Sequence, residues 1–169
     1  FALGGLCINI EGRCYLSSFV TGVSTNTSGV CSPSRFVRFN GLPDGGMTIS
    51  LNNVLLNRLA KGESSPYPTC CKGRYLMPDA KAGYAIEDPE SLNVLRIVPD
   101  LIEAGVAAFK IEGRQRTKQY VAAMTGVLRE SVDAYYKDPS AYAVRPEWSA
   151  KTLAAFEGSR ETLGSYLVK

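Results

Sequence analysis

Five cysteines, Cys7, Cys14, Cys31, Cys70 and Cys71, share a chain of 169 residues that contains no histidine. Without an imidazole, mixed Cys/His zinc sites and Ser-His or Cys-His catalytic pairs are excluded within this chain. Thiolate is a soft ligand that suits iron–sulfur clusters and zinc. The spacing matches no zinc finger: six residues separate Cys7 from Cys14, sixteen separate Cys14 from Cys31, and the sequence has no C-x-x-C knuckle. Adjacent Cys70 and Cys71 send their side chains in different directions, so one of them is expected to be spare. From spacing alone three readings stand open: an all-thiolate metal site, buried cysteines acting as small hydrophobes, or disulfides. The odd cysteine count argues against a fully paired secreted framework and sets the expectation of a reducing, cytoplasmic compartment.

The rest of the chain limits the function classes further. No run of residues approaches the ~18 consecutive apolar side chains of a membrane span. Nineteen basic residues against sixteen acidic ones give a net charge of +3, too small to demand a nucleic-acid partner. Arg35, Arg38, Lys72 and Arg74 read as a solvated surface. The chain begins at Phe1 inside a motif-like segment, F-A-L-G-G-L-C, so it is expected to be part of a longer protein.

Residues 1 to 34 are rich in Gly, Ser, Thr and Asn, with a short strand expected around Leu6–Ile10 and a turn at Glu11-Gly12-Arg13. A short strand is expected near Phe36 to Phe39, and a helical turn near Val54 to Leu59. Gly73-Arg74-Tyr75-Leu76-Met77 reads as a strand. Asp88 and Pro89 form a helix-start signal ahead of Leu92, Leu95, Val98, Leu101 and Ile102, with Gly105 closing that helix. Val106 to Ile111 reads as a further strand. Tyr120, Met124, Val127, Leu128, Val132 and Tyr135 then mark a long helix. Strand, helix, strand, helix predicts a parallel α/β unit, whose ligands sit at the carboxyl ends of the strands. That places Glu112-Gly113-Arg114 at a functional rim, where an arginine can hold a small carboxylate through two hydrogen bonds. Residues 138 to 169 hold a Pro-containing connection, an amphipathic segment at Trp148 to Phe156 and a turn-rich tail.

The segment F-A-L-G-G-L-C-I-N-I-E-G-R-C-Y-L-S, Phe1 to Ser17, resembles the signature of the peptidase U32 family. K-I-E-G-R-Q-R at Lys110 to Arg116 is similar to the family's second motif, at the end of its last barrel strand. Y-P-T-C-C-K-G-R-Y-L, D-P-E-S-L-N and E-G-S-R-E-T-L-G-S-Y extend the likeness along the chain. The resemblance implies the C-terminal portion of a TIM-like (β/α) barrel over residues 1–137, its N-terminal half lying outside this sequence, with a cysteine-rich cluster-binding region and a helical, turn-rich tail over 138–169. It implies a [4Fe-4S] cluster on Cys7, Cys14, Cys31 and Cys71. The Y-P-T-x-C-K-G pattern puts the fourth ligand directly before Lys72, and Cys70 where a non-ligand residue is expected.

Within the family the chain looks most like the members that hydroxylate a ubiquinone precursor without oxygen. They act as a heterodimer with a sister U32-family cluster protein, with prephenate as the expected oxygen donor. Family members that hydroxylate an RNA base, and the collagenase-like peptidase that names the family, are the alternatives. No H-E-x-x-H and no histidine support conventional peptidase chemistry here. Glu112 and Arg114 are the candidate substrate-binding residues, and nucleic acid is not expected as a partner.

Overall fold

Small residues let Leu3, Gly4 and Gly5 run extended as a first strand (β1, Leu3–Gly5). The computed structural model describes residues 1–9, 13–113 and 116–167. After β1 come two short helices, α1 (Tyr15–Thr21) and α2 (Thr25–Ser28), then strands β2 (Val37–Gly41), β3 (Met47–Leu51), β4 (Val54–Leu59), β5 (Arg74–Leu76), β6 (Ala82–Tyr84) and β7 (Ser91–Asn93). Helices α3 (Val98–Glu103), α4 (Lys118–Lys137) and α5 (Pro146–Ala155) and a two-residue strand β8 (Glu161–Thr162) complete the chain. The class is mixed α/β, as the sequence predicts. Among the described residues no helix is long and apolar enough to cross a membrane.

The chain divides into two compact units, Phe1–Leu6 with Glu90–Lys169, and Cys7–Pro89. In the first, β7 lies between β1 and β8, antiparallel to β1 and parallel to β8. Helix α4 covers this unit with Tyr120, Met124, Val127, Leu128, Ser131 and Tyr135, which recur along one helical stripe. Thr117 starts the helix, its hydroxyl accepting from the Tyr120 backbone N–H at 3.1 Å. Met124, Val127, Trp148, Leu3, Val94, Leu95 and Val98 share one buried cluster. The Trp148 indole N–H donates to Glu130 Oε2 at 2.8 Å, tying α5 to α4.

In the second unit β2, β3 and β4 form an antiparallel meander, with a register irregularity at Ile49/Ser50. Its apolar cluster is small: Leu51, Leu56 and Cys70, packed by Leu16, Val20, Phe36 and Val37. β5 and β6 make a separate antiparallel hairpin.

Several local expectations change. Val54 to Leu59 is a strand, because β3 supplies it with a ladder. The strand at 74–76 is as expected, but it pairs antiparallel in a hairpin and does not open a parallel βαβ unit. Asp88-Pro89 does not start a helix. Ser91, Leu92 and Asn93 are held extended by β1, so the helix waits until Val98, where Pro99 takes an early helical position that needs no N–H partner. Residues 106 to 110 are irregular, and the expected strand reduces to one parallel bridge between Leu3 and Ile111. Two hydrogen bonds frame it, Ala2 N–H to Lys110 O at 2.8 Å and Glu112 N–H to Leu3 O at 2.8 Å. The strand expected at Leu6–Ile10 is displaced to β1; Ile10 and the turn residues Glu11 and Gly12 lie outside the described residues.

Candidate cluster-binding site

All five cysteines fall in the Cys7–Pro89 unit and stand as thiols without a disulfide. Helix α1 gathers three of them. Cys14 is its N-cap, its Sγ accepting from the Ser17 backbone N–H at 3.4 Å and from Asn9 Nδ2 at 3.6 Å. A sulfur at a helix start receives the N–H groups that a serine or aspartate oxygen usually takes. The hydroxyl of Ser17 donates to the carbonyl oxygen of Cys31, holding that loop against the helix. Leu16 and Val20 pack on Cys70, at the start of a 3-10 turn over Cys70–Lys72.

That turn is fixed from several sides. Tyr75 donates its hydroxyl to Cys70 O at 2.7 Å, and the Glu87 N–H donates to Cys71 O at 3.1 Å. Asn57, buried in β4, donates through Nδ2 to Lys72 O at 3.3 Å and accepts from Arg74 Nε at 3.0 Å. Arg74 also pairs with Glu63 at 2.9 Å. Asn57→Ala is therefore expected to cost about 2 kcal/mol, by leaving buried groups of the cysteine turn unpaired. Chemical denaturation checks this.

The Cys70 thiol is pushed up to about 11, first by burial; Cys14 and Cys31 add to this and a backbone hydrogen bond opposes it. Burial also pushes Cys71 up to about 11; the Thr69 hydroxyl, 3.3 Å away, opposes this, Glu87 adds to it, the Lys72 ammonium opposes it and Cys7 adds to it. Burial, followed by Cys70 and Cys71, drives the Tyr75 phenol up to about 12. Lys72, expected from the sequence on a solvated surface, is instead buried, only 4% exposed.

Among the described residues no three His, Cys, Asp or Glu side chains close around one point as ligands of a single metal ion. A single zinc needs its donors about 2.3 Å from one centre, whereas an iron–sulfur cluster spreads its thiolates over separate irons. The donor set fits the latter in kind: soft sulfur only, gathered in one unit, with the Ser17, Asn9 and Thr69 donors aimed at the sulfurs. Thiols that ligate a metal release their protons to solvent, and the charge of the metal would offset the cost of burial.

The rim residues belong to the other unit. Glu112 is set by its backbone bond to Leu3 and lies against Gly4, whose φ of +128° suits glycine alone. A Cβ at Gly4 would stand 2.6 Å from Glu112 O, so this glycine makes the close approach possible. Arg114 lies outside the described residues. Beyond it, Arg116 stacks over the Tyr120 ring at 5.2 Å and meets the buried Glu157 at 3.6 Å. The Tyr120 hydroxyl is buried with no hydrogen-bond partner among the described residues. Burial raises its pKa, Arg116 opposes that, and Glu112 and Glu157 add to it. Tyr120→Phe is expected to stabilise the protein by about 1 kcal/mol, by removing a buried unpaired hydroxyl; a thermal melt measures it. Tyr120 reads in the sequence as helix core only, and nothing there signals its place beside Glu112.

Residues 1–168 match the model of Peptidase family U32. The chain is 28% identical over 148 residues to "tRNA hydroxylation protein P1" of Bacillus subtilis (strain 168), covering 88% of this chain and 29% of that protein. It is 28% identical over 138 residues to "23S rRNA 5-hydroxycytidine C2501 synthase" of Escherichia coli (strain K12), covering 82% and 16%. It is also 27% identical over 135 residues to a "Collagenase" of Porphyromonas gingivalis, covering 80% and 28%. The chain thus spans less than a third of each of these relatives. No solved structure matches it. With the family match running over nearly every residue, through both the cysteine unit and the rim, the chain belongs to the peptidase U32 family.

Proposed function

We propose that this chain is the cluster-bearing part of an oxygen-independent hydroxylase, with a [4Fe-4S] cluster held by Cys7, Cys14, Cys31 and a thiol of the Cys70-Cys71 pair. The observation that carries it is the gathering of five thiols in one unit, in a chain without histidine, with Cys14 and Cys31 joined through Ser17 of α1. Such a cluster supplies single-electron transfer when bound. The chain's own residues hold and shield it: Ser17 and Asn9 direct N–H groups at Cys14, Thr69 binds Cys71, and Leu16 and Val20 exclude water from Cys70. The first-stretch and rim motifs support a barrel whose remaining strands lie outside this sequence, with Glu112 and Arg114 at its mouth to orient the substrate.

Two substrates divide the reading. The motif resemblance supports a ubiquinone precursor, hydroxylated beside a sister cluster protein with prephenate as oxygen donor. The names of the tRNA and rRNA hydroxylation relatives support an RNA base. Peptidase chemistry has the printed name of the collagenases on its side and no supporting residue set here. Deleting the gene and growing the host without oxygen separates the two substrates. Loss of ubiquinone assigns the first, and normal ubiquinone with an RNA base lacking its hydroxyl assigns the second. If both are unchanged, the hydroxylase reading falls.

A further inference from the structure

Four tyrosines of this fold direct their hydroxyls to internal partners. Tyr75 donates to Cys70 O at 2.7 Å, Tyr135 to Glu103 Oε1 at 3.0 Å, Tyr142 to Leu95 O at 2.5 Å and Tyr166 to Phe1 O at 2.9 Å. Tyr120 is different. It is 7% exposed, and its buried hydroxyl meets no hydrogen-bond partner among the described residues. A phenylalanine would pack equally well in the same apolar cluster without stranding a donor. A buried group that costs stability and returns none to the fold marks a place where the sequence serves a purpose other than folding.

That place is the rim. Tyr120 lies in the first turn of α4, and a helical side chain leans back over the turn before its own Cα. The Arg116 N–H donates to Gly113 O at 3.1 Å, and a Cβ at Gly113 would come within 3.0 Å of Val121 Cγ2. Glu112-Gly113, anchored to Leu3, therefore sits against the start of the same helix. Arg116, its side chain 20% exposed, holds its guanidinium 5.2 Å from the centre of the Tyr120 ring and reaches Glu157 at 3.6 Å. That distance is longer than a hydrogen bond, so Arg116 can turn outward without breaking one to Glu157. Burial keeps the Tyr120 phenol protonated, and so a donor. The charges nearby select the kind of acceptor. Arg116 is already balanced by Glu157, and Glu112 is negative, so the described groups offer no net positive charge to a carboxylate or phosphate. An uncharged oxygen costs least to bring there.

Resting on the hydroxylase reading above, we infer that Tyr120 is a substrate-binding residue whose O–H donates to an uncharged oxygen on the ring to be hydroxylated, with Arg116 turning aside to admit it. A phenolic quinone precursor and a pyrimidine base both present such an oxygen. Fixing one oxygen sets the rotation of the ring in the site, and with it the carbon that is offered for hydroxylation.

The test returns the full-length protein to the deletion strain as wild type, Tyr120→Phe or Tyr142→Phe, and grows each without oxygen. Product (ubiquinone or the hydroxylated RNA base, whichever the deletion strain lacks) is measured per amount of folded protein. The melting temperature and iron content of each purified protein are measured beside it. Tyr142→Phe is the control, because it removes the same hydroxyl from a tyrosine bonded to Ser131 and Leu95. Tyr120→Phe is expected to melt a few degrees higher than wild type, to hold the same iron and to make about tenfold less product. Tyr142→Phe is expected to melt lower and to make the wild-type amount of product. Wild-type product from Tyr120→Phe overturns the inference. So does a Tyr120→Phe protein that melts lower than wild type, since its hydroxyl is then bonded within the fold. Unchanged ubiquinone and unchanged RNA on deletion are a separate result, which removes the hydroxylase reading and this inference with it.

Discussion

Cys31→Ser is expected to bring iron from about four per chain to less than one and to loosen the whole Cys7–Pro89 unit. The reason is the poverty of that unit's own core. Its buried apolar side chains are few, Leu51, Leu56 and Cys70 in one cluster with Ile49 and Leu59 elsewhere in the meander, and a small core leaves little stability in reserve. The proposed ligands, separated by sixteen and almost forty residues, would close long loops, so that binding would stabilise the folded chain against a wide unfolded ensemble. Serine keeps the size of the side chain and the bond from Ser17 to the residue-31 carbonyl, but offers a hard oxygen where soft sulfur is required. The measurement is iron content together with the melting of the unit by circular dichroism. A fall in both supports the linkage, and a loss of iron with an unchanged melt limits the cluster to chemistry.

Trp148→Ala is the largest expected loss in the other unit, about 4 kcal/mol. Trp148 is wholly buried between α4 and α5, its N–H is bonded to Glu130, and the Arg145 guanidinium lies 4.7 Å over its ring. Truncation removes a large apolar surface and leaves a cavity that two helices cannot close. Trp148→Phe recovers most of the packing and is expected to lose about 1 kcal/mol, the worth of one hydrogen bond. Below the melting temperature neither variant changes iron content, since Trp148 and the cysteines belong to different units. A thermal melt and an iron assay on the same sample separate the two kinds of damage.

The cysteine set, its motif and the long helix were legible because each is written in identities at fixed spacing. The stripe from Tyr120 to Tyr135 buries along one helical face as its period says. Ser17, noted in the sequence only as a motif residue, proves to link Cys14 and Cys31. Other features depend on partners far along the chain. Asp88-Pro89 has the chemistry of a helix start, yet β1, more than eighty residues earlier, claims Ser91 to Asn93. Val54 to Leu59 hides its strand character because Asn57 is buried for the sake of Lys72 and Arg74, breaking the apolar alternation. Val106 to Ile111 has strand composition, but β1 reaches it only near Ile111.

The iron–sulfur cluster proposed for these thiols is open to direct measurement. The direct measurement is purification without oxygen, followed by iron, acid-labile sulfide and the visible spectrum. The expected result is about four irons and four sulfides per chain, with the broad brown absorption of a [4Fe-4S] centre. A folded, colourless protein that stays iron-free after anaerobic reconstitution would contradict it.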